Sequence, residues 1–110
     1  MSLLGILTAP IGTVRAQTTG SIGEVGKPLY VYFVHVVSNA SGAGVVALGD
    51  GTSGSNTTYV TCKTSGASTA SYYDYGASGL FFPDGLYIST ATNTSGVGYF
   101  TIVYSHIAPC

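Results

Sequence analysis

Leu29-Tyr30-Val31-Tyr32-Phe33-Val34-His35-Val36-Val37 is the stretch whose reading decides the fold. Apart from Leu29 and His35, every side chain in it is β-branched or a Tyr or Phe ring, types that suit a pleated half-buried surface. The β-branched ones also lose rotamer freedom in a helix. Strict alternation places Leu29, Val31, Phe33, His35 and Val37 on one face, and Tyr30, Tyr32, Val34 and Val36 on the other. Both faces are apolar, so both are expected to be covered, and Tyr30 and Tyr32 to be buried between sheets or under a neighbouring molecule.

Working outward, further strands are predicted over 44–48, 57–63, 71–75, 85–89 and 98–107. The last alternates Phe100, Ile102, Tyr104 and His106 against Thr101, Val103 and Ser105. Between them the punctuation is regular, with Ser-Gly pairs at Ser41, Ser53, Ser65, Ser78 and Ser95. Asp50-Gly51 and Asp84-Gly85 add two turns in which glycine supplies the positive φ and aspartate caps its own backbone. No stretch has helical periodicity, and no unit is duplicated. Short strands with turn signals at this spacing predict an all-β fold, a single antiparallel β-sandwich of jelly-roll-like form over residues 28–110.

Residues 1–27 read differently. Five glycines and Pro10 break their apolar pieces into fragments with neither a helical stripe nor a long strand. They are expected to form an extended assembly arm, its apolar side chains Leu3, Leu4, Ile6, Leu7, Ile11 and Val14 lying against another copy. Val14-Arg15-Ala16 resembles a signal-peptide cleavage site. With no positive n-region before it and Pro10 and Gly12 interrupting the apolar run, a signal peptide is not expected.

Composition narrows the function. Of 110 residues only 6% are charged, while 45% are hydrophobic and nine are tyrosine. Ordinary soluble domains carry about 25% charged residues. A surface this poor in charge has little protection against association and suits a chain covered by neighbours. The net charge is −1, and Arg15, Lys27 and Lys63 cannot build the basic stripe that nucleic acid requires. No apolar run is long enough for a membrane-spanning helix.

Catalytic chemistry finds little to work with. Glu24, Asp50, Asp74 and Asp84 are the acids. Asp74 stands between Tyr73 and Tyr75, within reach of a phenol or of Lys63, and Glu24 lies in the arm. His35 and His106 fall in apolar strands and would meet if those strands paired, but zinc wants three or four ligands and no third is present in the pattern. Cys62 and Cys110 are compatible with one disulfide, an intermolecular link or two free thiols. No glycine-rich phosphate loop precedes a helix. Neither catalytic residues nor a cofactor or metal site is therefore expected. Asn39, Asn56 and Asn93 begin sequons, which arise easily in a chain rich in Ser, Thr and Asn and are read as coincidental.

The segments Val34-His35-Val36-Val37-Ser38-Asn39, Val45-Val46-Ala47-Leu48-Gly49-Asp50-Gly51-Thr52 and Phe82-Pro83-Asp84-Gly85-Leu86-Tyr87-Ile88-Ser89 carry a resemblance. With the alternating strand after them, they look like the small β-sandwich virion proteins of tailed phages from aquatic bacteria, over about two thirds of the chain. The resemblance implies a non-enzymatic structural or accessory protein: a head decoration, a tail-associated subunit or a fibre-like appendage. Located on a virion or an extracellular filament, it would partner with itself and with a phage capsid or tail protein. Tyr30, Tyr32, Tyr72, Tyr73 and Tyr75 are the interface candidates. Exposed tyrosines also stack on sugars, so the rival expectation is a carbohydrate-binding, host-recognition module that uses Tyr72, Tyr73 and Tyr75.

Overall fold

The computed structural model describes residues 12–16, 18–38, 42–54, 56–66, 68–92 and 98–107. Every regular element among them is a strand: β1 (Gly12–Ala16), β2 (Gly20–Ile22), β3 (Leu29–Val37), β4 (Val45–Asp50), β5 (Thr57–Lys63), β6 (Ala70–Asp74), β7 (Leu80–Phe82), β8 (Leu86–Thr92) and β9 (Tyr99–Ser105). One sheet runs β1-β9-β3-β6, with β7 also on β3, and the other runs β2-β8-β4-β5. All pairs are antiparallel. Strand β6 pairs Phe33–Val37 of β3 and β7 pairs its first three residues, so the two form one interrupted edge.

Counting that edge as one strand, the first strand pairs the last, the second pairs the next to last, and so inward to the β4–β5 hairpin. A hairpin rolled up in this way gives two packed sheets of four strands each, the jelly roll. The all-β antiparallel sandwich expected from turn spacing is the fold observed.

The core lies between the sheets. Leu29, Val31, Val34, Val36, Phe82, Phe100 and Ile102 meet Ile22, Val46, Leu48, Cys62, Leu86 and Ile88, all buried. This composition corrects the alternation expected for β3. Val31 pairs Tyr104 but Phe33 pairs Val103, so Tyr32 is an extra residue, a β-bulge. The bulge resets the period of two: Leu29 and Val31 face inward before it, Val34 and Val36 after it. Phe33, His35 and Val37 are thereby turned outward. Tyr30 and Tyr32 are half-buried, not enclosed.

The division at residue 27 is also corrected. Gly12–Ala16 runs along β9 and Gly20–Ile22 along β8 of the same chain. Val14 and Ala16 pack on the core and Ile22 belongs to it. Of the glycines here, Gly12 and Gly20 open strands and Gly23 follows one. A Cβ on Gly12 would meet the Tyr104 ring, so a larger residue there would require that ring to shift. Leu3, Leu4, Ile6, Leu7 and Ile11 lie outside the described residues.

The Phe82-Pro83-Asp84-Gly85 turn carries the chain from one sheet to the other. Gly85 N–H donates to the Phe82 carbonyl at 3.3 Å. Gly85 has φ 97°, and a Cβ there would sit 3.0 Å from the Gly26 nitrogen. Gly85→Val therefore combines a strained φ with a backbone clash, and is expected to lower stability by more than ~1 kcal/mol in urea titration. Removing residues 1–19 strips β1 from β9 and exposes Phe100 and Ile102, and is expected to abolish the cooperative unfolding transition in circular dichroism.

Candidate functional site

Two regions gather polar or aromatic side chains. The first is an open cleft of about 430 Å³ at one end of the sandwich, lined by Gly12, Glu24, Lys27, Tyr104, His106 and Ile107. Its polar groups are engaged in holding the turn before β3. His106 Nε2 accepts the Glu24 N–H at 3.0 Å, while Nδ1 lies 2.8 Å from the Pro28 carbonyl. A carbonyl can only accept, so Nδ1 is the donor in that contact. Glu24 pairs with Lys27 at 2.7 Å on the open surface. The hydrogen bond and charge of Lys27 hold the Glu24 carboxyl below its usual range. Ser105 also lines the cleft, with its hydroxyl held by the Ile107 backbone at 3.0 and 3.3 Å.

The other chemistry-bearing residues are dispersed. Strands β3 and β9 do pair, yet His35 lies opposite Thr101 and His106 falls past the strand end, so the histidines do not meet. Cys62 is a free, buried thiol whose Sγ lies 3.4 Å from the Tyr75 hydroxyl. Burial pushes the thiol pKa up, which keeps it protonated. Burial, and then the bond to Cys62, push the Tyr75 phenol up as well. Asp50 and Asp84 depart from the expected self-capping. Asp50 Oδ1 accepts the Asp84 N–H at 2.6 Å, and Gly51 N–H reaches the Gly85 carbonyl at 3.1 Å, so one turn caps the other. Asn56, half-buried, donates to the Tyr87 carbonyl at 3.0 Å. Cys110, Asn39, Asn93, Ser41 and Ser95 lie outside the described residues. Among those described, no three His, Cys, Asp or Glu side chains cluster as metal ligands, and no helix is long and apolar enough to cross a membrane.

The second region is the outer face of the β1-β9-β3-β6 sheet. Register sets its rows. Arg15, Thr101, His35 and Tyr72 form one row, and Thr13, Val103, Phe33 and Asp74 form the next. Tyr99 and Val37 lie on the other side of the first row, and Tyr30 with Phe81 extends the face toward β7. The rings contact one another. His35 stacks flat on Tyr72 at 4.3 Å and meets the edge of Tyr99 at 5.7 Å. Phe33 lies 5.7 Å from Tyr72, and Tyr30 stacks on Phe81 at 4.6 Å. The Arg15 guanidinium sits 3.8 Å above the Tyr99 ring. Tyr72 is 67% and Phe81 43% exposed. His35 Nε2 is buried beneath these rings with no hydrogen-bond partner among the described residues.

The opposite sheet contrasts with this. Its outward positions include Ser21, Thr61, Lys63, Tyr87, Thr90 and Thr92, mostly short hydroxyls. Tyr59, 45% exposed, and Tyr87 also belong to this sheet, but the larger group of rings in mutual contact lies on the other.

The five tyrosines singled out by sequence part company. Tyr72 faces out, and Tyr30 and Tyr32 are half-buried, with Tyr32 packed over Gly79. Tyr73 faces in and joins the sheets: its hydroxyl accepts the Lys63 N–H at 2.9 Å and donates to the Lys63 carbonyl at 2.7 Å. Tyr75 is likewise taken up by Cys62. Tyr72, Tyr73 and Tyr75 thus make no common platform. Phe33, Phe81, Tyr99, Val103, Arg15 and Asp74 were not singled out, although the alternation of β6 and β9 would have marked Asp74, Tyr99 and Val103 as outward beside Tyr72.

No family model, curated protein or solved structure matches this chain.

Tyr73→Phe removes both bonds to Lys63 while keeping the ring. Because the edge can be rehydrated, the expected loss is about 1 kcal/mol in chemical denaturation, with the midpoint shifted and the slope unchanged.

Proposed function

We propose that this protein is a non-enzymatic structural subunit that associates with copies of itself, as a virion component such as a capsid decoration or the repeating unit of a tube or filament. The observation that carries the reading is the outer face of the β1-β9-β3-β6 sheet, where Tyr30, Phe33, Val37, Tyr72, Phe81, Tyr99 and Val103 lie together. Contiguous apolar patches of this kind mark interaction sites, since covering them releases ordered water and lowers the free energy. Aromatic rings with few charges at the centre are also the composition of protein interfaces.

Two further features support it. With 6% charged residues the remaining surface offers little repulsion between copies. The jelly roll recurs in viral capsid domains and in lectins, an argument by analogy of fold. The carbohydrate-binding reading draws on the same analogy but loses its three-tyrosine platform, because Tyr73 and Tyr75 are engaged between the sheets.

Sedimentation velocity on the full chain tests the proposal. The chain is expected to sediment as a dimer or larger species, and Tyr72→Lys to return it to monomer with an unchanged circular dichroism spectrum. A full chain that stays monomeric, or a variant that assembles as before, would show that the face is not the contact.

A further inference from the structure

We infer that the partner of the aromatic face is the same face of a second copy, related by a two-fold axis that runs parallel to the strands between β9 and β3. The inference rests on the self-association just proposed and assigns its geometry.

The argument starts from charge. The chain has seven charged side chains, and two of them, Arg15 and Asp74, stand on this face. They occupy opposite rims, Arg15 on β1 and Asp74 on β6, with β9 and β3 between them. Three strand spacings separate them, about 14 Å, too far for a contact within one chain. Neither has an ion-pair partner among the described residues, where the one ion pair is Lys27 with Glu24. Asp74 spends Oδ1 on the Gly76 N–H at 2.8 Å, and Arg15 rests on Tyr99.

Two ways of laying the face on its own copy differ in what these charges meet. A two-fold axis across the strands sets β1 over β1 and β6 over β6, which brings arginine toward arginine and aspartate toward aspartate. An axis along the strands, between β9 and β3, sets β1 of one copy over β6 of the other. Arg15 then lies over Tyr72 of the second copy, with that copy's Asp74 one row away, two residues or about 7 Å along the strand. An arginine side chain spans that distance once it swings from Tyr99, which lies one row in the other direction. The contact occurs twice by symmetry, as in any isologous pair. Like charges brought together disfavour the first arrangement and opposite charges favour the second.

The rest of the face agrees with this choice. His35 comes to lie over Thr101 of the second copy and Phe33 over its Val103, because register places these pairs side by side on β3 and β9. At Phe33 and Val103 an apolar side chain thus faces an apolar one.

Charge reversal tests the geometry. The dimer dissociation constant would be measured by sedimentation for the full chain, Arg15→Asp, Asp74→Arg and the double variant, with circular dichroism checking each fold. Each single reversal places like charges at both contacts and is expected to weaken the dimer by about ten-fold, while the double variant restores it to within about three-fold. Added salt should weaken the unsubstituted dimer and strengthen the single variants. A double variant no tighter than either single, or singles that dimerise as the unsubstituted chain does, would overturn the two-fold. If Tyr72→Lys dissolves the dimer while the reversal gives no rescue, the face still mediates assembly and only its symmetry is wrong. Monomers throughout, as when a glycan or a different protein is the true occupant, would overturn both.

Discussion

One extra residue governs the molecule. Tyr32 sits in β3 opposite no residue of β9, and the bulge it makes decides which side chains of the central strand are core and which are surface. Without it, a strand with Leu29 and Val31 inside would also carry Phe33, His35 and Val37 inward, and Val34 and Val36 would be lost to the outside. The same point divides the neighbouring edge. Before the bulge β3 pairs with β7, after it with β6, and the Tyr32 carbonyl accepts the Tyr75 N–H at 2.9 Å where the chain leaves β6. The aromatic face is thus the by-product of a core requirement: smaller valines fill the space between the sheets, and the larger rings are displaced outward.

The sheet borders are managed by separate devices. Strand β2 is only three residues long, a short edge with little backbone to offer. At the end of β5, both backbone groups of Lys63 are taken by the Tyr73 hydroxyl, so that part of the border cannot pair with a foreign strand. Association through a sheet face instead depends on side chains, which can discriminate between partners and orientations. The self-pairing geometry inferred from Arg15 and Asp74 uses that kind of discrimination.

The strongest strands were legible because they are long and rich in β-branched and aromatic residues: β3 and β5 match the expected bounds, and β4, β6, β8 and β9 differ by a few residues. Strands β2 and β7, three residues each, are too short for a period of two to register. Strand β1 was hidden because Gly12 reads as a breaker, whereas it opens the strand beside the Tyr104 ring. The bulge left no trace in the pattern, since both faces of β3 are apolar and a shift by one residue exchanges one hydrophobic set for another. Of the candidate interface, Tyr72 was visible, while Tyr73 and Tyr75 were grouped with it by proximity in sequence when alternation sends Tyr73 to the opposite side. Arg15 fell in a segment read as an arm, and its place beside the aromatic rings depends on long-range pairing that no local signal carries.

The hydroxyl-rich back of the sandwich has its own consequence. Ser21, Thr61, Thr90 and Thr92 interact with water by short-range hydrogen bonding, and Lys63 adds little charge to that side. Dispersal of the protein is then a matter of hydration and not of electrostatic repulsion. Strongly hydrated salts such as sulfate compete for that water and are excluded from protein surfaces. They should therefore bring the protein out of solution more readily than a shift of pH does, because no large net charge is lost on approaching neutrality.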